Sequence, residues 1–470
     1  MKNLDYHIES HLLQLISSEQ AFHYNIVPRK KETNHLILFT PLSTSNTIIS
    51  ELEIILGYTI SLEKIDKDEF VKYLNSNYRK RDQTQNQMFT YTSDFLERVL
   101  IDAKDIGSSD IHFEPYEETC RIRFRLDGKL REQYKIPITE YPVIINKIKI
   151  RANIDISEKR LPQDGRITLT TKNDEFDIRV STLPTLYGEK IVLRILSKDA
   201  SKFDLRDLGF TKEELLTYTE SIKKPNGIIL ISGPTGSGKT TTLYATLKVL
   251  NDKQTNILTI EDPIEYTLEG VNQVQLKESI GLDFSSALRT FLRQDPDVIM
   301  VGEIRDVKTA NMAIRAALTG HLVLSTIHTN SAWGTISRLI DMGVPSFLIA
   351  STLNISIAQR LVRKLCPNCK EIHAISPSSL PSGFEIPKEL TTHYSAQGCS
   401  ECYHTGYKGR KAIYEIIPVT GDLTSLVKSN ELQIDSFLEE KKIKTLKDNA
   451  INLIKEGITS IEEVYSLLSE

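Results

Sequence analysis

Gly233-Pro234-Thr235-Gly236-Ser237-Gly238-Lys239-Thr240 decides the fold of this 470-residue chain. The spacing is that of a phosphate-binding loop, and the setting agrees with it. Apolar Ile228-Ile229-Leu230-Ile231 precedes the loop, and residues 241–250 follow with helical spacing. Glycines let consecutive backbone N–H groups face a phosphate, Lys239 reaches the β/γ oxygens, and the Thr240 hydroxyl suits Mg²⁺. Gly233 through Thr240, with Thr241, are therefore the expected nucleotide-binding residues.

Three more apolar runs lie downstream, each ending in a polar or charged residue. They are Ile257-Leu258-Thr259-Ile260 before Glu261-Asp262, Val298-Ile299-Met300-Val301 before Gly302-Glu303, and Leu322-Val323-Leu324-Ser325-Thr326-Ile327 before His328. Apolar strands alternating with helices imply a parallel α/β sheet from about residue 207. Ligands of such sheets bind beyond the carboxyl ends of strands, so all four run-ends are expected on one rim. Phosphoryl transfer to water needs a positioned water and a neutralised phosphate. Glu303 is the best candidate for polarising the water or holding it through Mg²⁺. Glu261 and Asp262 are candidates for the metal shell, and His321 and His328, which bracket one run, for a direct role.

Upstream, Arg121-Ile122-Arg123-Phe124-Arg125-Leu126-Asp127-Gly128 alternates strictly and ends in Asp-Gly, a hairpin signal. Residues 91–104 are helix-like, and 177–180 and 190–196 read as strands, giving an α+β domain over 89–206. Residues 36–39 read as a strand, 47–57 as a helix stopped by Gly57, and 69–78 as a second helix, giving a small mixed domain over 1–81. Polar residues 82–88 form a linker. The ordinary composition, 40% apolar and 26% charged, excludes a disordered or fibrous chain. A net charge of −4 gives no global pull toward nucleic acid or anionic lipid. The first residues lack the apolar core of a signal peptide, and no run reaches membrane-spanning length.

Five cysteines are too few for a secreted disulfide scaffold. Cys366-Pro367-Asn368-Cys369 and Cys399-Ser400-Glu401-Cys402 are two C-x-x-C knuckles separated by 29 residues. Four thiolates so arranged suit a closed tetrahedral Zn²⁺ site that is structural rather than catalytic. Cys120 is left over as a strand residue.

The chain resembles the secretion ATPase family that powers type II secretion and type IV pilus assembly. The resemblance is carried by Ser109-Asp110-Ile111-His112-Phe113-Glu114-Pro115, Leu161-Pro162-Gln163-Asp164-Gly165-Arg166, Thr259-Ile260-Glu261-Asp262-Pro263-Ile264-Glu265-Tyr266, Gly302-Glu303-Ile304-Arg305-Asp306 and Ser325-Thr326-Ile327-His328-Thr329-Asn330. It implies a RecA-like P-loop NTPase core (207–360) preceded by a PAS-like domain and an N-terminal adaptor, with a zinc insert (361–412) and a C-terminal helical part (413–470). It also implies ATP as substrate, Mg²⁺ and Zn²⁺ as metals, and a homohexamer. Glu261-Asp262 then end the family's aspartate box, Glu303 is its Walker B glutamate, and His321 and His328 form its histidine box. Arg179 and Arg194 fall where the family keeps arginine fingers. Trp333, the only tryptophan, departs from the family pattern.

The expected function is thus a cytoplasmic motor hydrolysing ATP to power pilin or pseudopilin assembly. It is expected to work on inner-membrane platform and docking proteins, peripheral to the membrane through those partners, with no direct nucleic-acid contact. A retraction or conjugative-transfer ATPase is the alternative within the class. A non-hydrolytic nucleotide-binding adaptor with a zinc ribbon is the alternative outside it.

Overall fold

The computed structural model describes residues 8, 12, 15, 16, 18–32, 34–78, 95–170, 175–196, 204–375, 380, 381, 384, 387, 390–403, 405–431 and 433–469. The expected linker 82–88 and the first turn of the 91–104 helix lie outside them. The chain divides into two compact units. One comprises Met1–Leu196 with Leu365–Glu371 and Ser395–Lys408; the other comprises Ser197–Lys364, Ile372–Tyr394 and Gly409–Glu470.

The first unit opens with a three-stranded sheet. Strand β1 (Val27–Glu32) runs antiparallel to β2 (His35–Pro41), which runs parallel to β3 (Thr59–Ile65). Leu36 and Leu38 point inward at period two and are fully buried. The helix Ile49–Leu56 stops at Gly57, and the helix Lys67–Asn77 starts from Asp66, whose carboxylate accepts from the Asp68 N–H. Both lie where the apolar spacing places them.

A six-stranded antiparallel sheet follows, built from β4 (Asp110–Pro115), β5 (Thr119–Leu126), β6 (Lys129–Pro137), β7 (Gln163–Thr170), β8 (Glu175–Thr185) and β9 (Gly188–Leu196). Their order is β6-β5-β4-β9-β8-β7, and Asp127-Gly128 closes the expected β5–β6 hairpin. One face carries Ile111, Phe113, Ile122, Phe124, Ile178, Val180, Ile191 and Leu193. It packs with the helices Phe95–Asp105 and Tyr141–Arg151. Cys120 is buried on this face, and burial pushes its thiol up to about 12. The opposite face is charged: Asp110, His112 and Glu114 on β4 lie between Arg121, Arg123 and Arg125 on β5 and Lys190 and Arg194 on β9.

The second unit is built around strands β10 (Gly227–Ser232), β11 (Ile257–Glu261), β12 (Asn272–Gln275), β13 (Val298–Val301), β14 (Leu322–Ile327) and β15 (Leu353–Leu365). A short pair, β16 (Lys370–Ala374) with β17 (Thr392–Ala396), precedes β18 (Tyr407–Pro418). The main sheet has the order β12-β11-β13-β14-β10-β15-β18, and its first six strands are parallel. Both of its faces are covered. Ile229, Ile231, Met300, Leu324 and Ile357 pack with Tyr218, Leu243 and Leu247 of two helices on one side. Ile228, Leu230, Ile260, Val301 and Val323 pack with Leu288, Ala313, Ile314 and Ile336 of three helices on the other. Two covered faces explain why these strands read as unbroken apolar runs. Trp333 joins the second of these cores. Residues 361–365 and 407–412, grouped with the insert by sequence, are the ends of β15 and β18.

Candidate nucleotide site and cysteine centre

Strand β10 ends at Ser232, and the helix Lys239–Leu250 begins seven residues later, with Gly238 as its N-cap at φ 89°. The loop between them lies against the end of β15. A Cβ on Gly233 would stand 2.4 Å from the Gln359 carbonyl oxygen, and one on Gly238 would stand 2.8 Å from Gln359 Nε2. Glycine at both positions is therefore a packing requirement as well as a conformational one. Gln359 is buried and clamps the loop: its Nε2 donates to Ser237 O at 2.9 Å, and its Oε1 accepts from Thr242 Oγ1 at 2.9 Å.

Lys239 is also buried, and Nζ donates to Gly233 O at 2.7 Å and Pro234 O at 3.1 Å. Burial lowers its pKa; the Glu303 carboxylate opposes that shift and the Arg360 guanidinium adds to it. Ser237 Oγ is buried with no hydrogen-bond partner inside the loop. An orphaned hydroxyl, a buried ammonium and the amino end of a twelve-residue helix together form a cradle for anionic oxygens. Thr240 is exposed beside it, where its hydroxyl suits a phosphate-bound cation.

Because β11, β13, β14 and β10 are parallel neighbours, their carboxyl ends share the rim that carries the loop. Glu303 follows β13 there. Its Oε2 lies 3.4 Å from His328 Nε2, and its Oε1 accepts a short hydrogen bond from Arg305. That bond raises the Arg305 pKa further, and Arg305 Nη1 also lies 3.7 Å from Asp262. Glu303, His328, Arg305 and Asp262 thus form one polar group. Arg305 carried no role in the sequence, since a spacing of two residues does not reveal that its guanidinium turns back onto Glu303.

Two other expected residues face elsewhere. Glu261 is buried, accepting from the Tyr244 hydroxyl, from Thr259 Oγ1 at 2.6 Å and from Gln273 Nε2 at 3.1 Å. It fastens β11 to the loop helix through Tyr244, whose hydroxyl pKa is pushed up by burial and by the Glu261 charge. His321 sits at the amino end of β14, about 20 Å from the rim at roughly 3.3 Å per residue. Its Nδ1 lies 2.8 Å from Ala316 O and 3.1 Å from Thr319 Oγ1, closing the end of the helix Val307–Leu318. The histidines bracket one strand and so lie at its opposite ends, only His328 at the rim that carries the loop.

Arg179 and Arg194 belong to the other unit, directly opposite one another on β8 and β9. Arg194 Nε donates to Asp110 Oδ1 at 2.8 Å, and its side chain is 58% exposed. Asp110 also pairs with Arg125 at 3.2 Å. Burial alone would raise the Asp110 pKa, but hydrogen bonds from Arg194 and Ser109 outweigh it and hold the carboxyl below its ordinary value.

The cysteines gather into a cluster whose Sγ atoms all lie within 4.8 Å of one another. Cys366–Cys399, Cys369–Cys402 and Cys399–Cys402 are each 3.8 Å apart. Zinc–sulfur bonds of about 2.3 Å in a tetrahedron give edges of about 3.8 Å, whereas a disulfide needs about 2.05 Å. Backbone N–H groups of Gly398, Cys399 and Gly406 donate to Cys369 and Cys402 sulfurs at 3.2–3.3 Å, as thiolates require. The cluster fits zinc. Cys366 directly follows β15, and its N–H donates to Gly406 O at 2.9 Å, one residue before β18.

Comparison with known proteins follows the same lines. A family model described as "Type II/IV secretion system protein" matches residues 85–466. The type IV pilus assembly ATPase PilB of Pseudomonas aeruginosa is 48% identical over 375 residues, covering 79% of this chain and 66% of the relative. The chain thus spans about two thirds of that relative's length. The type II secretion system ATPase E of Vibrio cholerae is 43% identical over 409 residues, covering 86% of this chain and 81% of the relative. Among solved structures, the pilus retraction motor PilT with bound ADP superposes with a TM-score of 0.53 at 26% identity, covering 79% of this chain and 96% of PilT.

Proposed function

The chain belongs to the type II/IV secretion system ATPase family and is an ATP-hydrolysing enzyme, and from that premise we propose that it is a hexameric motor assembling pilin or pseudopilin subunits. The observation that carries the proposal is the Glu303–His328 pair on the rim that holds the phosphate loop.

The proposed chemistry uses this chain's own groups in sequence. ATP enters with its phosphates on the loop N–H groups. Lys239 leaves the Gly233 and Pro234 carbonyls for the β/γ oxygens, its ammonium exchanging two neutral acceptors for anionic ones. The Thr240 hydroxyl would hold Mg²⁺, which would supply charge neutralisation at the γ-phosphoryl group. Glu303 holds the attacking water in line, His328 and Arg305 fix the orientation of its carboxylate, and Asp262 anchors Arg305. Arg179 and Arg194 offset charge developing in the transition state. Glu261 and His321 act at a distance, the first by fixing the loop helix and the second by fixing a helix end.

Cys366, Cys369, Cys399 and Cys402 would hold Zn²⁺ with four thiolates, and its contribution would be folding energy for the insert. Residues 1–81 are the proposed docking element for membrane-bound partners of the machine. Among the described residues no helix is long and apolar enough to cross a membrane. ATP turnover by the purified protein tests the enzymatic core. Deleting the gene tests the direction of the motor: loss of surface fibres or of secretion supports assembly, and a gain of fibres contradicts it. Fluorescent localisation of a chain lacking 1–81 tests docking, with loss from the membrane expected and retention counting against it.

A further inference from the structure

We infer that Arg360 is a phosphate-contacting residue that binds the γ-phosphoryl group from within the same chain; the inference rests on the loop being an ATP site. Strand register sets where Arg360 lies. Ser232, the last residue of β10, pairs with Ala358 of β15, so Gln359 and Arg360 run beside Gly233 and Pro234. Gln359 is directed under the loop and spends its amide on Ser237 and Thr242. Arg360, the next residue, is directed to the other side of the strand, as alternation requires.

Its guanidinium then lies at the amino end of the loop. Nη1 would be 3.2 Å from a Cβ on Gly233 and donates to the Gln359 carbonyl at 3.2 Å. Nη2 donates to Asn330 O at 2.7 Å. Asn330 is two residues beyond His328, whose ring meets Glu303. Arg360 therefore spans from the first glycine of the loop to the segment that carries His328, the partner of the proposed water-positioning Glu303.

The position also fixes which phosphate it meets. Lys239 reaches the β/γ oxygens in loops of this kind, and here its ammonium rests on Gly233 and Pro234. The Gly233 end of the loop is thus the β/γ end. The Arg360 charge is felt at Lys239, so two cations converge there. A planar guanidinium offers parallel N–H donors to phosphate oxygens, which suits a terminal phosphoryl group. The Gln359 and Asn330 carbonyl oxygens that accept from it are neutral, and a phosphate oxygen is a stronger acceptor than either.

The same guanidinium bears on a buried carboxylate of β18. Glu415, buried in β18, accepts from the N–H groups of Ala332 at 2.7 Å and Leu446 at 3.3 Å, the first residues of two helices. Arg360 is among the charges that bear on it.

The test compares a non-hydrolysable ATP analogue with ADP by direct titration of the full-length hexamer. For Arg360→Gln the inference expects about a tenfold or greater loss for the analogue, the cost of a charged hydrogen bond, and less than a twofold change for ADP. Arg360→Lys, which keeps the charge and loses the fork, should recover part of the loss. Equal losses for both nucleotides in Arg360→Gln and Arg360→Lys would make Arg360 a scaffold residue and overturn the inference, as would no loss for either. Wild-type protein that binds and hydrolyses ATP while Arg360→Gln shows either of these patterns refutes the inference alone. Wild-type protein that binds no nucleotide refutes the ATP site beneath it.

Discussion

The two large sheets of this protein treat their polar residues in opposite ways. The parallel sheet of the second unit is covered on both faces, so the proposed chemistry falls to residues just beyond its strand ends, among them Gly233, Glu303 and His328. The antiparallel sheet of the first unit packs one face on helices and presents the other as alternating charge, with Glu114 ringed by Arg121, Arg123 and Lys190. A parallel sheet with two apolar faces leaves polar groups a rim, and an antiparallel sheet with one apolar face leaves them the other face. Polar function in the first is therefore a matter of strand polarity, and in the second a matter of side-chain alternation.

The largest effect expected from that difference concerns burial. Ile229→Ala, in a strand covered on both sides, should cost about 2–5 kcal/mol. Val192→Ala, on the charged face of β9 and half-buried, should cost well under half of that. Denaturation midpoints check the pair, and equal losses would break the contrast.

A second expectation concerns the metal. Purified protein should carry zinc in stoichiometric amount by elemental analysis, and Cys366→Ser should abolish it. The site lies where the chain leaves β15 and returns to β18, so zinc loss should increase proteolysis within residues 366–406 first. Unchanged zinc content in the variant contradicts the assignment.

The charged face gives a pH signature. Burial pushes the Glu114 carboxyl up, but hydrogen bonds from Arg123 and Lys190 with their charges outweigh it and hold the pKa down to about 2, from an ordinary 4.5. A depressed carboxyl contributes stability that is complete above the ordinary value and is lost as pH falls toward the folded one. The melting temperature of the first unit should therefore fall as pH drops from 4.5 to 2, and Glu114→Gln should flatten that dependence. An identical slope in both proteins would count against the ion-pair cluster.

The smallest effect separates the two histidines. His321→Ala removes a helix-end contact and should cost at most about 1 kcal/mol, with the KM for ATP unchanged. His328→Ala should lower kcat while leaving stability unchanged. A reversed pattern would contradict their placement at opposite ends of β14.

Much of this was legible in the residues, for stated reasons. The four apolar runs ending at Ser232, Glu261, Val301 and Ile327 are strands because sheets buried on both faces tolerate few polar interruptions. The Asp127-Gly128 hairpin and the Gly57 stop rest on local turn chemistry. Three features were not legible. Glu261 and Asp262 are adjacent, and alternation sends one into the loop helix and leaves the other on the rim, but spacing does not say which. His321 needed the direction of its strand, not only its position beside it. Gln359 and Arg360 act on a loop 117 to 127 positions earlier, through a register that only the folded sheet supplies.

The central claim is that the rim beyond β10, β13 and β14 hydrolyses ATP through Glu303. Steady-state ATPase of Glu303→Gln, with nucleotide affinity measured on the same preparation, tests it most directly. The account predicts a fall in kcat of at least about a hundredfold, as for loss of a group that positions or activates the nucleophile, with ATP binding retained. A variant that hydrolyses ATP as fast as wild type would contradict it.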